Sequence, residues 1–370
     1  MERLRIAFTD EVQPHALFAL ADQIVAEGAR SLMVLAADAN GCRPEAFDDW
    51  LRAVPVPVFG GVFPQLIHAQ SNHERGYLVV GLPETVEVFN LGGLSDPAVD
   101  YSRSVSDLVG AGRRIVSMLV LVDGLASRIS ALLDGIYDTF GSAPFYFGGG
   151  AGSLSFVRRP CLFSNRGMLT DHAQIVVSSV GAALSVEHGW EKLAGPFVVT
   201  SVYRNVIESL DFQPAFEVYR EHVQAESGCR FGEDNFFDIA KGFPFGMEKP
   251  DGSLVVRDPI AREGNNLVCV GEVPSHSVVY LLRGDKERLI DAAARSAARI
   301  PPGKAPAMLI DCISRVLFLE SEFARELEAV QKGLGERPLF GMLTLGEIAN
   351  GGTSCLEFYN KTLVLAAIHL

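Results

Sequence analysis

A proline-led apolar strand that runs into Phe-Gly occurs three times in this chain: at "VPVFGGVFPQ" (56–65), "APFYFGGGAGSL" (143–154) and "PLFGMLTLGEIANGG" (338–352). Each copy follows an apolar strand and a helical segment. "SLMVLAADANG" (31–41) leads into "CRPEAFDDWLRAV", "SMLVLVDG" (117–124) into "LASRISALLDGIYDTFG", and "PAMLIDCISR" (306–315) into "VLFLESEFARELEAVQKGLG". In the last of these Leu317, Ala324, Leu327 and Val330 recur at helical spacing, and Gly333 and Gly335 supply a stop. The intervals are similar: Leu32 to Phe59, Met118 to Phe147, Met308 to Phe340. After each Phe-Gly the pattern predicts a long hairpin, closing with "GYLVVGL" (76–82), "AQIVVSSVG" (173–181) and "KTLVLAAI" (361–368). Such self-similarity predicts pseudo-symmetric copies of one supersecondary unit. The glycines of the second strand serve close strand approach or turns.

The expected fold is α+β: repeated strand-helix-strand-hairpin units forming stacked mixed or antiparallel sheets covered by helices, because many strands are apolar on both faces. Two domains are expected, residues 1–215 with the first two units and 216–370 with the third. A helical connection is predicted in "VTSVYRNVIESLDFQPAFEVYREHVQAESG" (199–228). At 370 residues with 48 % hydrophobic content the chain can bury sizeable cores, and 21 % charge without low-complexity tracts excludes disorder. A formal charge of −13 argues against nucleic acid or anionic lipid as a partner. The longest charge-free apolar run, "AQIVVSSVGAALSV" (173–186), is too short to span a bilayer, and "MERLRIAF" lacks the pattern of a signal peptide. A cytoplasmic location is expected. Six scattered cysteines without a C-x-x-C pair point to buried thiols, not a zinc site or a disulfide framework.

Chemistry is expected at the strand-to-helix turns, "ADANGCR" (37–43), "VDGLASR" (122–128) and "IDCISR" (310–315), where an Asp ends the strand and an Arg follows. Strand ends of this kind are common places for small polar ligands in α/β folds, although Asp also caps helices and Arg also forms surface pairs. The candidate ligand-binding set read from these residues is Asp311, Cys312, Arg315 and Glu347, with Arg257 in "SLVVRDPIAREG" as a further bidentate anion binder. Asn165 and Arg166 in "CLFSNRGM" form a polar turn. No nucleophile elbow, P-loop or H-E-x-x-H is present, which favours a binding protein over an enzyme. The enzymatic alternative makes Cys312 a nucleophile activated by Arg315. A third alternative, a protein-binding adaptor, ranks lower, because the apolar face of "DKERLIDAAARSAARI" (285–300) is explained by core packing.

The order "GFPFGMEKPDGSLVVRDPI", "LVCVGEVPSHSVVYLLRGDKERLIDAAARSA", "AMLIDCISRVLFL", "ESEFAREL", "PLFGMLTLGEIA", "YNKTLVLAAI" resembles the C-terminal FIST domain, and "PFYFGGGAG … CLFSNRGM … VVSSVG" resembles the N-terminal one. The start departs, with "GCRPEAFDDW" where the family has a Gly-Cys-Ser/Thr-rich segment. The resemblance implies a sensory protein for small ligands such as amino acids, partnered with a histidine kinase, a diguanylate cyclase or a chemotaxis protein. Cys312, Arg315, Gly346 and Glu347 fall on motif positions. Signalling is expected through a separate effector. Some members of the family are haem proteins that detect nitric oxide, so His68, His73, His172 and His276 are candidate ligands of a non-covalent haem, one at most being expected to serve.

Overall fold

The protein is described by a computed structural model covering residues 4–249, 252–350 and 355–369. In each unit the first strand (Ser31–Ala37, Ser117–Asp123, Ala307–Cys312) runs parallel to the Phe-Gly strand (Val58–Phe63, Phe145–Ala151, Leu339–Thr344). Parallel neighbours need a crossover, and a helix supplies it: Pro44–Ala53, Ile129–Phe140 and, in the third unit, Ile313–Leu319 followed by Phe323–Leu334. The closing strand (Tyr77–Leu82, His172–Ser178, Leu363–His369) pairs antiparallel with the other side of the first strand.

This corrects the expected hairpin. The Phe-Gly strand and the closing strand are not its two arms, because the first strand lies between them. What the sequence shows as the middle of the hairpin is a separate two-stranded ribbon that leaves its own unit. The first ribbon (Gln65–His68, Ser71–His73) pairs with Leu339–Thr344 of the third unit. The second (Leu162–Ser164, Gly167–Leu169) pairs with Val58–Phe63 of the first unit, and the third (Glu347–Asn350, Leu356–Tyr359) with Phe145–Ala151 of the second. The three exchanges close a ring. Each six-stranded sheet therefore has one order: an outer strand (Arg5–Thr9, Glu87–Gly92 or Gly181–Glu187), the closing strand, the first strand, the Phe-Gly strand and a donated ribbon. The Gly351-Gly352 part of the third ribbon's turn lies outside the described residues.

The repeated glycine follows from this geometry. Gly60, Gly148 and Gly341 face Val34, Val120 and Leu309 across the parallel pair, and a Cβ at each would lie 1.9, 1.8 and 1.8 Å from the partner's carbonyl oxygen. No side chain fits there. The ribbons are also stitched at their ends. Asn165 accepts from Val58 N–H at 2.8 Å in one sheet, and Asn350 accepts from Tyr146 N–H at 3.0 Å in another, each where a Phe-Gly strand begins.

A fourth sheet is built largely from residues 191–283, in the order Leu254–Arg257, Phe245–Glu248, Val278–Arg283, Glu191–Tyr203, Val206–Leu210, Asn266–Cys269, Pro259–Glu263. The connection expected to be helical is half strand: Glu191–Tyr203 and Val206–Leu210 form an antiparallel pair, and the helix begins only at Ala215. Alternating β-branched residues on either side of "RN" outweigh helix propensity in that stretch. Phe216, Tyr219 and Val223 on the helix Ala215–Ser227 seal one face of this sheet. No helix among the described residues is long and apolar enough to cross a membrane.

Candidate ligand cavity

A cavity of about 750 Å³ lies where the fourth sheet meets the strand-end turns of the second and third units. Gly124–Ser127 come from the turn after Ser117–Asp123, Cys312–Ser314 from the turn after Ala307–Cys312, and Thr344–Gly346 from the end of the third Phe-Gly strand. Asp258 and Cys269–Glu272 come from the fourth sheet and its loops, and Phe358 and Asn360 from the third ribbon and its exit. The lining is mostly apolar, with Leu125, Ile129, Leu317, Leu345, Phe237 and Phe358 on its walls. Leu154 and Phe156 cross its mouth on an exposed stretch.

At the floor is a buried polar network. Asp258, 1 % exposed, accepts from Ser314 Oγ at 2.7 Å and faces Lys361 Nζ at 3.2 Å. Lys361 also donates to the Lys241 carbonyl at 2.9 Å and lies over the Trp190 ring. Glu347 accepts from Thr344 Oγ1 at 2.7 Å and from the Thr362 N–H at 3.3 Å, and the Cys312 thiol bonds to it. Burial pushes the Glu347 carboxyl up to about 8, against these three bonds. Burial likewise raises Asp258, with Lys361 and Ser314 opposing it. The Cys312 thiol is pushed well above its ordinary value, first by burial and then by the acids Glu347 and Asp258. Cys312 is almost fully buried although it lines the cavity, and burial beside these acids disfavours the thiolate, its nucleophilic form.

The residues selected from the sequence separate into two groups. Cys312 and Gly346 line the cavity, and Glu347 stands directly behind Cys312. Gly346 has a structural reason: its φ is +105°, and a Cβ would meet the Phe358 ring at 2.2 Å. Asp311 and Arg315 turn away. Asp311 Oδ1 accepts its neighbour's N–H at 2.8 Å and lies 3.3 Å from Arg315 Nε. Arg315 is fully buried, paired with Glu326 and donating to the carbonyls of His188 (2.6 Å) and Leu289 (3.2 Å). Burial works against its charge, but Glu326 and Asp311 outweigh that and hold its pKa above the ordinary value. Arg257 is also interior. It donates to the main-chain carbonyls of Glu272 and Phe358, both at 2.8 Å, and braces the cavity wall from behind. Asp258, Ser314, Asn360 and Lys361 escaped sequence reasoning. The available signal was the polar trio Asn360-Lys361-Thr362 set against an apolar strand.

The histidines lie elsewhere. His68 and His73 share the first ribbon, with rings 6.4 Å apart against Phe8, and His68 lines a smaller cavity of about 320 Å³. His172 sits at the start of a closing strand, its Nδ1 at 2.6 Å from the Thr170 carbonyl, and His276 is exposed in a turn at φ +62°. The lining of the larger cavity offers no histidine to a haem.

Two family models match the chain: the FIST N domain over residues 11–213 and the FIST C domain over residues 215–350. No curated protein matches it.

Proposed function

We propose that this chain, which belongs to the FIST family of small-ligand sensory domains, is a cytoplasmic, non-enzymatic sensor whose ligand occupies the 750 Å³ cavity and whose signal passes to a separate effector such as a histidine kinase or a diguanylate cyclase. The cavity's position carries this reading. Its walls come from two of the three ring sheets and from the fourth sheet, so a ligand there bears on how these parts pack together. A concave, mostly apolar pocket with a few convergent polar groups is the usual form of a small-molecule site. Cys312 contributes its buried thiol to the floor as a hydrogen-bond donor to Glu347, not as a nucleophile.

Thermal-shift screening of small metabolites against the wild type and Leu317→Trp tests this. Leu317 is partly exposed on the cavity wall, and an indole there takes up part of the space. A compound present at about 100 times its Kd stabilises by about 2.7 kcal/mol. That stabilisation is expected to vanish in Leu317→Trp. A compound whose effect survives the substitution binds elsewhere and refutes the assignment.

A further inference from the structure

We infer that the ligand of this cavity is a hydrophobic organic amine, a cationic N–H head on an apolar, ring-sized body, and not an anion or a zwitterionic amino acid; this rests on the cavity being the sensory site. Three observations carry it. First, the lining contains no lysine, arginine or histidine, and its ionisable carboxyls are Asp258 and Glu272. Two of the nearby cations are paired with carboxylates. Lys361 is committed to Asp258, and Arg315 to Glu326 and Asp311. Arg257 sits behind the wall, donating to the main-chain carbonyls of Val256, Glu272 and Phe358. A carboxylate entering this space meets no cationic side chain in the lining, and burying an unpaired charge is costly.

Second, Glu272 is a partly exposed cavity residue whose carboxylate has no hydrogen bond or ion pair among the described residues. It is the one acid of the lining that lacks a counter-charge at salt-bridge distance. The floor adds to the same bias, since Asp258 Oδ1 and Asn360 Oδ1 are buried acceptors without a donor. Third, Phe156, Phe237 and Phe358 contribute rings to the walls. Aromatic faces attract ammonium groups and exclude carboxylates. The electrostatics therefore select the sign of the ligand's charge, and the cavity's size and apolar walls select a body of one or two rings.

Isothermal titration calorimetry on the full chain at low ionic strength separates the cases with four probes of one shape: 2-phenylethylamine, 3-phenylpropionate, L-phenylalanine and 2-phenylethanol. The amine is expected to bind about tenfold tighter than the alcohol, the carboxylate and the zwitterion weaker than both, and Glu272→Gln to remove the amine's advantage while leaving the alcohol unchanged. Glu272 anchors Arg257 through its main chain, so this variant keeps the wall intact. The amine assignment is overturned if the carboxylate or phenylalanine binds as tightly, if Glu272→Gln leaves the amine unaffected, or if none of the four binds. The neutral fluorophore prodan separates the two levels of the argument. If the wild type takes up prodan and Leu317→Trp does not while the amine fails, the cavity stands and the amine class falls. If prodan is also not taken up, both fall.

Discussion

Replacing the glycine of a Phe-Gly strand by alanine is a stringent test of the three-sheet ring, because the same change can be made three times. At Gly60, Gly148 and Gly341 the added carbon would sit 1.9, 1.8 and 1.8 Å from a carbonyl oxygen of the first strand. Ordinary contact begins above about 3 Å, so the parallel strands must part by roughly an ångström. That overpacking costs about 1–3 kcal/mol. Weakening two ladder bonds beside it adds about 0.5–1.5 kcal/mol each, for a total of about 2–6 kcal/mol. With an unfolding entropy of about 2.1 cal/mol/K per residue, 370 residues convert this into a fall in Tm of roughly 3–8 °C. The control is Gly335→Ala, at φ +67° with nothing within 4 Å of the added carbon. Only backbone strain acts there, about 1 kcal/mol or roughly 1 °C. Differential scanning calorimetry of the four variants reads all of this. Three similar large losses beside one small one are expected, and a Phe-Gly variant that melts with the wild type would falsify the shared close approach.

Other substitutions address the interior and the site. Glu326→Ala leaves Arg315 buried with only Asp311 opposite it and is expected to cost about 3–5 kcal/mol by urea denaturation, with the Arg315→Met/Glu326→Leu pair recovering most of the loss; a neutral Glu326→Ala would show the ion pair to be idle. Glu347 is raised in the folded state to about 8, so between the ordinary carboxyl range and pH 8 the native protein holds more protons than the unfolded chain. Stability must then fall as pH rises through that window, and Glu347→Gln should flatten the slope of Tm against pH; an unchanged slope contradicts the assignment. Iodoacetamide at neutral pH followed by peptide mass spectrometry should modify the exposed Cys229 and Cys355 and spare Cys312. Stoichiometric labelling of Cys312 would restore the nucleophile alternative.

The repeated unit was legible because its causes are local. Proline-led strands, helical spacing in residues 317–330 and the Phe-Gly dipeptide all leave a pattern within some thirty residues. Where each ribbon goes was not legible. Gln65–His68 pairs with a strand more than 270 residues away, and nothing in "PQLIHAQSNH" distinguishes a partner in its own sheet from one in another. The short strands of residues 245–269 were hidden for a related reason, since four-residue strands between prolines and glycines read as loops. At the site, Cys312 was found because it sits at a strand end, and Gly346 because it falls on a motif position of the family. Arg315 was misleading, because an arginine four residues after an Asp looks the same whether its guanidinium reaches solvent, a ligand or, as here, a buried Glu326. Asp258 and Asn360 face Cys312 only through tertiary packing of the fourth sheet, which sequence spacing does not encode.

The exchange of ribbons also sets a timetable for synthesis. The ribbon of residues 65–73 leaves the ribosome early, yet its partner strand begins at Leu339, roughly 270 residues later. At about 5–20 residues per second the ribbon waits some 13–55 s with an open edge. During that interval the nascent chain carries a sheet edge competent to pair with any other strand. Its first complete sheet, by contrast, needs nothing beyond Leu169. The ring therefore forms in a fixed order, with one sheet finished early and two held open until the last strands arrive.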